Sequence, residues 1–496
     1  MTRRAFLRGL AFAPALTASF TAAFPRWALA ASAKSPLRIP SRLDGLVNTL
    51  GKKYALEARE GSQEFLPGLH TPTIGINQDY LGPTLFLRRG DDVDLAVKTS
   101  LREDPTLHWH GLHVPAKADG GPAQIIEPGE TWSPRFTVDQ VAGTFWYHSH
   151  LLHKTGEQVY RGLTGMIVLE DRVSDALELP SSYGEDDIPL IVQDRRFNSD
   201  GSFDYIGMHR DVMTGLFGDT LLVNGTVNPV FRPTTTRVRF RLLNAANART
   251  FTFAFDDRRE FQLIATDGGF LEAPITRSEI VLAPAERAEI VVEFSGGRPC
   301  RLISLPLEPD SPFATRGMMA RMHSGNDERF DILSIEPNPS LDASAPLPAS
   351  LTSIPRLDPR DAVTTRRLTL SMAMGMGMMR RGGGSSFFIN DKAMDMSVIN
   401  YRVKKDSTEI WEIHNDSMMM HPFHIHHSQF QILDRDGRPP GPEERGLKDT
   451  VKVGPGETVR FIMRFENYAD PDTAYMYHCH ILEHEDNGMM GQFTVE

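Results

Sequence analysis

Cysteine is scarce in this sequence, which contains two cysteines in 496 residues. Two thiols cannot build the disulfide framework that stabilises small secreted scaffolds. Basic charge is also in deficit, with 53 lysines and arginines against 64 aspartates and glutamates and a formal net charge of −11. Because nucleic-acid binding needs a basic face, this deficit argues against nucleic acid as a partner.

Long apolar runs are missing beyond the first 30 residues, so we expect no integral membrane segment after the leader is removed. The first 30 residues have a charged start with Arg3 and Arg4, a short apolar stretch over 9–24, and a small-residue site over 28–30. This order is typical of a secretory signal peptide. The paired arginines resemble a twin-arginine leader, and an ordinary signal with two adjacent arginines is the alternative. We therefore predict a periplasmic protein, exported by the twin-arginine route.

Alternating and β-branched segments dominate the rest of the chain. Residues 92–97, 238–242 and 409–413 alternate polar and apolar side chains, which is typical of half-buried strands. No long segment shows a helical period. At about 150 residues per domain, the length is enough for about three domains. The pattern predicts an all-β protein built from sandwiches.

A short sequence recurs three times and divides the chain. Pro-Gly-Glu-Thr at 128–131, Pro-Ala-Glu-Arg at 284–287 and Pro-Gly-Glu-Thr at 455–458 each precede an apolar stretch. Such repetition indicates related units, and we predict domains at 36–173, 174–335 and 361–496. Residues 336–360 are rich in Pro, Ala and Ser, which predicts a linker.

Ten of the 17 histidines fall in four short clusters, at 108–110, 148–150, 421–426 and 478–484. Each cluster contains an H-x-H pair. Alternate residues of a strand point to the same face, so each pair can aim two imidazoles at one place. One such pair arises by chance often enough, but four in one chain indicate a metal site.

The last cluster adds a thiolate. Its two paired histidines point to one side of the strand and Cys479 between them points to the other, with His484 and Met489 following. A cysteine with two histidines and a weak axial methionine is the ligand set of blue copper, and His421 is available as the second imidazole. Ser149 stands at the matching place in the first domain, so one blue centre is expected. The eight other histidines suit a multinuclear copper cluster between domains better than four-coordinate structural zinc.

These motifs resemble those of the multicopper oxidases over essentially the whole mature chain, and among them the bacterial cuprous oxidases of copper tolerance. The supporting stretches are 417–424, 448–451 and 478–489. The resemblance implies an all-β fold of three tandem cupredoxin-like Greek-key β-sandwich domains. It also implies four one-electron oxidations of a substrate while O₂ is reduced to two waters, with four copper ions: one type 1, one type 2 and two type 3. The implied ligands are His421, Cys479, His484 and Met489 for type 1, His108 and His424 for type 2, and His110, His148, His150, His426, His478 and His480 for the type 3 pair.

Two carboxylates are carried over by the same resemblance as catalytic proton donors for O₂ reduction. Asp119, in Asp-Gly-Gly-Pro, matches the family's acid near the cluster. Glu485 directly follows His484 and matches its proton-relay glutamate. A surface or turn carboxylate is the alternative for each.

The methionines bear on the substrate. Five lie within 372–379, and thioethers are soft donors that select Cu(I). In the cuprous oxidases a methionine-rich segment covers the type 1 site and collects substrate copper, although the segment here is short and gap-filling core is the alternative. Asp449 matches an acidic residue that helps bind substrate copper there, while Val451 offers no thioether. The candidate substrate-copper residues are Met372, Met374, Met376, Met378, Met379 and Asp449.

We therefore expect a periplasmic oxidase of Cu(I) that acts in copper tolerance, with laccase-like activity on phenols. Its partners would be O₂ and either Cu(I) or small aromatic reductants, and we expect a monomer. A laccase with an aromatic physiological substrate is the alternative among enzymes. The alternative from another class is a copper-free structural relative, such as the exported cell-division proteins of this fold, which have lost ligands that are all present here.

Overall fold

The computed structural model describes residues 34–322, 328–373 and 386–496. Within them the chain folds into three successive sandwiches of two sheets each, with short helices between strands. This arrangement confirms the all-β class predicted from the alternating segments. The leader predicted at 1–30 lies outside the described residues.

The first sandwich places two histidine pairs on one sheet. Its strands follow β1 (Ser35–Pro36) and are β2 (Arg42–Leu43), β3 (Leu46–Asn48), β4 (Gly51–Leu66), β5 (Leu69–Ile76), β6 (Thr84–Arg88), β7 (Asp92–Thr99), β8 (His108–His110), β9 (Thr131–Trp132), β10 (Arg135–Thr137), β11 (Gly143–His148) and β12 (Thr164–Glu170). One sheet has the order β2-β6-β12-β11-β8, and the other has the order β10-β7-β4-β3 with β5 and β9 added at β4 and β7. The core between them includes Leu95, Trp109 and Phe145.

The second sandwich contains none of the clustered histidines. Its strands are β13 (Asp187–Arg195), β14 (Thr220–Val223), β15 (Pro229–Phe231), β16 (Arg237–Asn244), β17 (Phe251–Phe255), β18 (Phe261–Thr266), β19 (Gly269–Arg277), β20 (Glu279–Leu282), β21 (Arg287–Glu293), β22 (Cys300–Leu305) and β23 (Phe330–Ile335). Its sheets run β1-β15-β23-β22-β17-β20 and β14-β13-β16-β21-β18-β19. The short strand β1 therefore belongs to a sheet of the second sandwich, although it precedes the strands of the first sandwich in the chain.

The third sandwich carries the other two histidine clusters. Its strands are β24 (Ala362–Met372), β25 (Phe387–Ile389), β26 (Tyr401–Val403), β27 (Thr408–Asn415), β28 (His421–Ile425), β29 (Phe430–Arg435), β30 (Thr450–Val453), β31 (Thr458–Arg464), β32 (Asp470–Cys479) and β33 (Met490–Val495). Its sheets run β25-β24-β27-β31-β29 and β26-β33-β32-β28-β30. The three repeated sequences end at Thr131, Arg287 and Thr458, which are the first residues of β9, β21 and β31.

The helices are short, as the lack of a helical period predicts. They are α1 (Thr155–Arg161), α2 (Arg172–Ala176), α3 (His209–Thr214), α4 (Gly317–Met322) and α5 (Leu482–Asp486). Helix α5 packs against both α1 and α3, so the segment after Cys479 lies where the three sandwiches meet. Among the described residues, no helix has the length and apolar character needed to cross a membrane.

Residues 336–358, the greater part of the predicted linker, are described and contain no helix or strand. They follow the surface of the second sandwich. The side chain of Leu351 is buried against it, and its amide donates a hydrogen bond to the carbonyl of Glu272 at 2.9 Å.

Candidate metal centre

The histidine pairs lie on neighbouring strands of two sheets or just after the ends of those strands. His108 on β8 is paired in register with His148 on β11, and His424 on β28 is paired with His478 on β32. His110 lies two residues further along β8, on the same face as His108. The remaining histidines of the other pairs follow within two residues of the ends of their strands: His150, His426 and His480. The structure brings together eight buried imidazoles, from His108, His110, His148, His150, His424, His426, His478 and His480.

Ring nitrogens from the first and third sandwiches approach each other closely. The Nε2 atom of His150 lies 3.2 Å from Nε2 of His478, which lies 3.3 Å from Nε2 of His426. The ring of His108 stacks on that of His426 with their centroids 3.9 Å apart. Nitrogen lone pairs that face each other at these distances are favourable when a cation lies between them, because neutral imidazole is a common metal ligand.

The outward nitrogens of the rings hold them in place. The Nδ1 of His108 donates a hydrogen bond to the carbonyl of Asp119, and that of His424 to the carbonyl of Asp449, both at 2.8 Å. The Nε2 atoms of the same two rings have no hydrogen-bond partner among the described residues. Buried polar atoms are normally paired, so these two nitrogens are positioned to bind a metal.

Burial keeps these imidazoles in the form that binds metals. It lowers the pKa of His148 to about 3 and the pKa of His150 to about 4. It also lowers the pKa of His108 and His110 well below the ordinary value, and nearby imidazoles add to this effect. Metal ligands must be deprotonated, and neutral histidines satisfy that condition without loss of a proton at neutral pH.

A second, smaller group of donors lies on the opposite side of β32. The Nδ1 of His421 is 3.3 Å from Cys479 Sγ and 3.3 Å from Nδ1 of His484, and the Sγ atom is 3.8 Å from that nitrogen. All three residues are buried, as is Met489 in the same core. The alternation along β32 thus separates Cys479 from His478, as the sequence predicts.

The two predicted acids both lie against imidazoles. The Oδ2 of Asp119 accepts a hydrogen bond from Nδ1 of His426 at 2.7 Å, and burial raises the pKa of Asp119 well above its ordinary value. The carboxylate of Glu485 lies 3.3 Å from Nδ1 of His150 and 3.1 Å from Nδ1 of His478. Burial would raise the pKa of Glu485, but these imidazoles outweigh it and lower the pKa to about 2.

The position of Asp449 differs from the prediction that it lies at a substrate-copper site. Its side chain is buried at the histidine cluster, 3.1 Å from Nε2 of His110. The reason is the register of β30, which pairs Thr450 with His424 and so brings the residue before Thr450 to the cluster. Burial would raise the pKa of Asp449, but the guanidinium of Arg287 outweighs it and holds the pKa below its usual range.

The methionine segment is described only at its start. Met374, Met376, Met378 and Met379 lie outside the described residues. Met372 ends β24 and packs, partly buried, against the hydrophobic core that contains Cys479.

Two contacts of the site were not predicted from the sequence. The carbonyl of Met213, at the end of α3, lies 3.3 Å from Nε2 of His484. Arg287 reaches the cluster from the second sandwich through Asp449. The second of the three repeated sequences predicted a strand directly at or after Arg287, but no sequence pattern pointed to its partner in another sandwich.

The geometry agrees with comparisons to known proteins. Three family profiles, each described as multicopper oxidase, match residues 57–174, 184–299 and 365–496. The chain belongs to the multicopper oxidase family. A multicopper oxidase of Staphylococcus aureus is 36% identical over 469 residues, which cover 93% of this chain and 93% of that protein. This confirms the resemblance, the cupredoxin-like fold and an oxidoreductase activity.

Two further relatives show the range of this family. The crystal structure of a laccase from Pediococcus acidilactici superposes with a TM-score of 0.82 at 34% identity, over 94% of each chain. The cell division protein FtsP of Escherichia coli K12 is 34% identical over 475 residues, covering 95% of both chains. The similar proteins therefore include one that is named as a multicopper oxidase, one that is named as a laccase and one that is named as a cell division protein.

The residues present in this multicopper oxidase fit copper. Imidazole and thiolate are donors that suit copper, and both occur in buried groups of three whose donor atoms lie within 4.8 Å of one another, including His421, Cys479 and His484. The unpartnered Nε2 atoms of His108 and His424 add two donors with no other use among the described residues.

Proposed function

We propose that this protein oxidises Cu(I), and phenolic or other aromatic reductants, one electron at a time at a type 1 copper and reduces O₂ to water at a trinuclear copper cluster. The type 1 ligands would be His421, Cys479, His484 and Met489. The type 2 ligands would be His108 and His424. The type 3 ligands would be His110, His148, His150, His426, His478 and His480.

One observation carries this proposal: Cys479 belongs to the smaller donor group while its two chain neighbours belong to the larger one. Its Sγ faces His421 at 3.3 Å, and the flanking His478 and His480 are buried at the cluster. The two groups are thus joined by one peptide bond on each side of the cysteine. Copper bound at both places would supply one-electron oxidation at the thiolate and multi-electron reduction of O₂ among the imidazoles.

The protein's own acids are placed to handle the protons that O₂ reduction consumes. Asp119 is buried and favours its protonated form, since burial raises its pKa. Glu485 lies between His150 and His478 with both carboxylate oxygens near ring nitrogens. Asp119 would therefore act as a proton donor, whereas Glu485, whose pKa is lowered to about 2, would accept protons and pass them on.

The preference for Cu(I) rests on thioethers in or beside the hydrophobic core that contains Cys479. Met419 lies in the same hydrophobic core as Cys479, and Met418 beside it is 42% exposed. Met372 packs against that core and leads into the segment 374–379. Thioethers favour Cu(I) over harder cations, so these methionines would offer soft donors to a cuprous substrate.

The experiment measures O₂ uptake by the copper-loaded protein with Cu(I) and, separately, with a phenol. Cys479→Ser should abolish both activities and the blue absorption. The fourfold variant Met374→Leu, Met376→Leu, Met378→Leu, Met379→Leu keeps side-chain size but removes four thioethers, and it should slow Cu(I) oxidation while phenol oxidation stays unchanged. Unchanged Cu(I) oxidation in this variant would favour a laccase with an aromatic substrate.

A copper-free structural role is the second candidate, because FtsP is 34% identical over nearly the full chain. Metal analysis separates the two. About four coppers per chain with a blue absorption band support the oxidase, whereas far fewer coppers and no band would support the structural role.

We also propose that the protein is exported to the periplasm through the twin-arginine leader at 1–30, acts there in copper tolerance, and is a monomer. The proposed domains are 36–173, 174–335 and 361–496, with a linker at 336–360. Replacing Arg3 and Arg4 by lysine should stop export of the folded protein, and cell fractionation would detect its retention in the cytoplasm.

A further inference from the structure

The second sandwich supplies none of the clustered histidines, yet one of its side chains reaches the metal centre. Arg287, the first residue of β21, is fully buried. Its guanidinium donates hydrogen bonds to the carbonyl of Thr144 on β11 at 3.0 Å and to the carbonyl of Asp267 at 2.8 Å. Thr144 lies four residues before His148 on the same strand, so Arg287 contacts the strand that carries part of the cluster.

The same guanidinium holds Asp449 of the third sandwich. Its Nη1 and Nη2 donate to Oδ1 and Oδ2 at 2.7 Å and 2.6 Å. Two parallel charge-assisted bonds fix both position and orientation of a carboxylate. The backbone makes room for this pair at Gly111, where φ is +86° and an added Cβ would lie 2.4 Å from Asp449 Oδ2. A side chain at position 111 would collide with the ion pair.

Asp449 in turn contacts histidines of the first and the third sandwich. Its Oδ1 lies 3.1 Å from Nε2 of His110, and its carbonyl accepts a hydrogen bond from Nδ1 of His424. The other ring nitrogen of His110, Nδ1, lies 3.4 Å from Nε2 of His148. His110 therefore turns Nδ1 toward the cluster, whereas His108 and His424 turn Nε2 toward it.

A ring that binds a metal through Nδ1 must carry its proton on Nε2 and needs an acceptor there. A carboxylate in this place selects the tautomer and orients the ring. We propose that Arg287 and Asp449 form a positioning pair, through which the second sandwich holds His110 in the tautomer that presents Nδ1 to the copper pair. This inference rests on the proposed function, because it assigns the pair to the copper cluster of that proposal.

The test compares three variants of the copper-loaded, full-length protein. Asp449→Asn removes the anionic acceptor at nearly constant volume, and Arg287→Lys keeps the charge but loses the fork of two donors. Arg241→Lys is the matched control, since Arg241 is also buried, pairs with Asp187 and Glu289, and donates to Thr144 Oγ1 at 2.9 Å without contact to a histidine.

Four readouts distinguish positioning from general stability. They are copper per chain, the electron paramagnetic resonance signal of type 2 copper, the near-ultraviolet absorption of the type 3 pair, and the blue absorption of type 1 copper as internal reference. We expect Asp449→Asn and Arg287→Lys to bind cluster copper about 10- to 100-fold more weakly, with the blue band retained, as for loss of a partner behind a metal ligand. Arg241→Lys should keep all four signals.

Three results would overturn the inference. The first is unchanged cluster signals in both Asp449→Asn and Arg287→Lys. The second is an equal loss of signals in Arg241→Lys. The third is failure of both variants to fold, judged by circular dichroism, while Arg241→Lys folds, since the pair would then be a stability element. Absence of copper from the wild-type protein would instead refute the proposed function itself.

Discussion

Acid should destabilise the copper-free protein steeply, because its buried histidines are neutral in the fold. Burial lowers the pKa to about 3 for His148, His421 and His427 and to about 4 for His150. In the unfolded chain the same groups titrate near the ordinary value of about 6.5. Below that value the unfolded state binds more protons than the folded state, so stability is present at high pH and is lost as the pH falls.

The magnitude follows from those pKa values. Each of the four groups costs about 1 kcal/mol near pH 6 and about 2 kcal/mol near pH 5, relative to a pH well above 7. Together these four cost about 4 and about 8 kcal/mol, against a typical total stability of about 5–15 kcal/mol, and His113, whose pKa burial also lowers, adds to the loss. The copper-free protein should therefore be close to its unfolding midpoint near pH 5 without denaturant.

The assay is urea unfolding of the copper-free protein at several pH values, followed by tryptophan fluorescence. His427→Asn removes one titrating group that is not itself a proposed ligand, and asparagine tolerates the positive φ of 73° at this position. It should reduce the loss between about pH 8 and pH 5 by about 2 kcal/mol. The exposed His70, replaced by Asn, is the control and should change nothing. Equal stability of the wild type at both pH values would refute this reasoning.

Three more substitutions give sharp outcomes. Asp119→Asn should keep the full copper content and lower the rate of O₂ uptake by about 100-fold or more, the usual loss for a general acid; an unchanged rate would remove Asp119 from proton delivery. Glu289→Gln should cost about 3–5 kcal/mol in urea unfolding, since it leaves the buried guanidiniums of Arg239 and Arg241 without their shared carboxylate; a loss below about 1 kcal/mol would contradict this. Phe387→Ala removes the ring stacked on His484 at a centroid distance of 4.2 Å, and by admitting water it should lower the type 1 reduction potential in a redox titration. A higher potential would show that the ring does not shield the site.

The histidine pairs and the strand starts were predictable because both follow from local sequence patterns. Alternation along a strand puts His478 and His480 on one face and Cys479 on the other, and this holds whatever the rest of the fold does. The repeats at 128–131, 284–287 and 455–458 marked strand starts in three sandwiches. The all-β class followed from the same alternation.

The contacts of Asp449 and Arg287 were not predictable from local patterns. Asp449 reaches the cluster because β30 pairs with β28 in one particular register, and a single sequence does not encode which strands become neighbours. The partner of Arg287 lies 162 positions away in another sandwich. The resemblance to the family placed Asp449 at a substrate-copper site. The register between β28 and β30 instead places it at the histidine cluster.

The division of the cluster between β8 and β11 on one side and β28 and β32 on the other has a consequence for biosynthesis. Strand β32 ends at Cys479, more than 300 residues after β11, so the donor groups that combine histidines of both sandwiches form only when the late strands have folded against the early ones. Copper held by such a mixed group would therefore enter only after the last strands have folded. A polypeptide interrupted before residue 478 would keep the group of His108, His110 and His148 but would lack every group that includes His478 or Cys479.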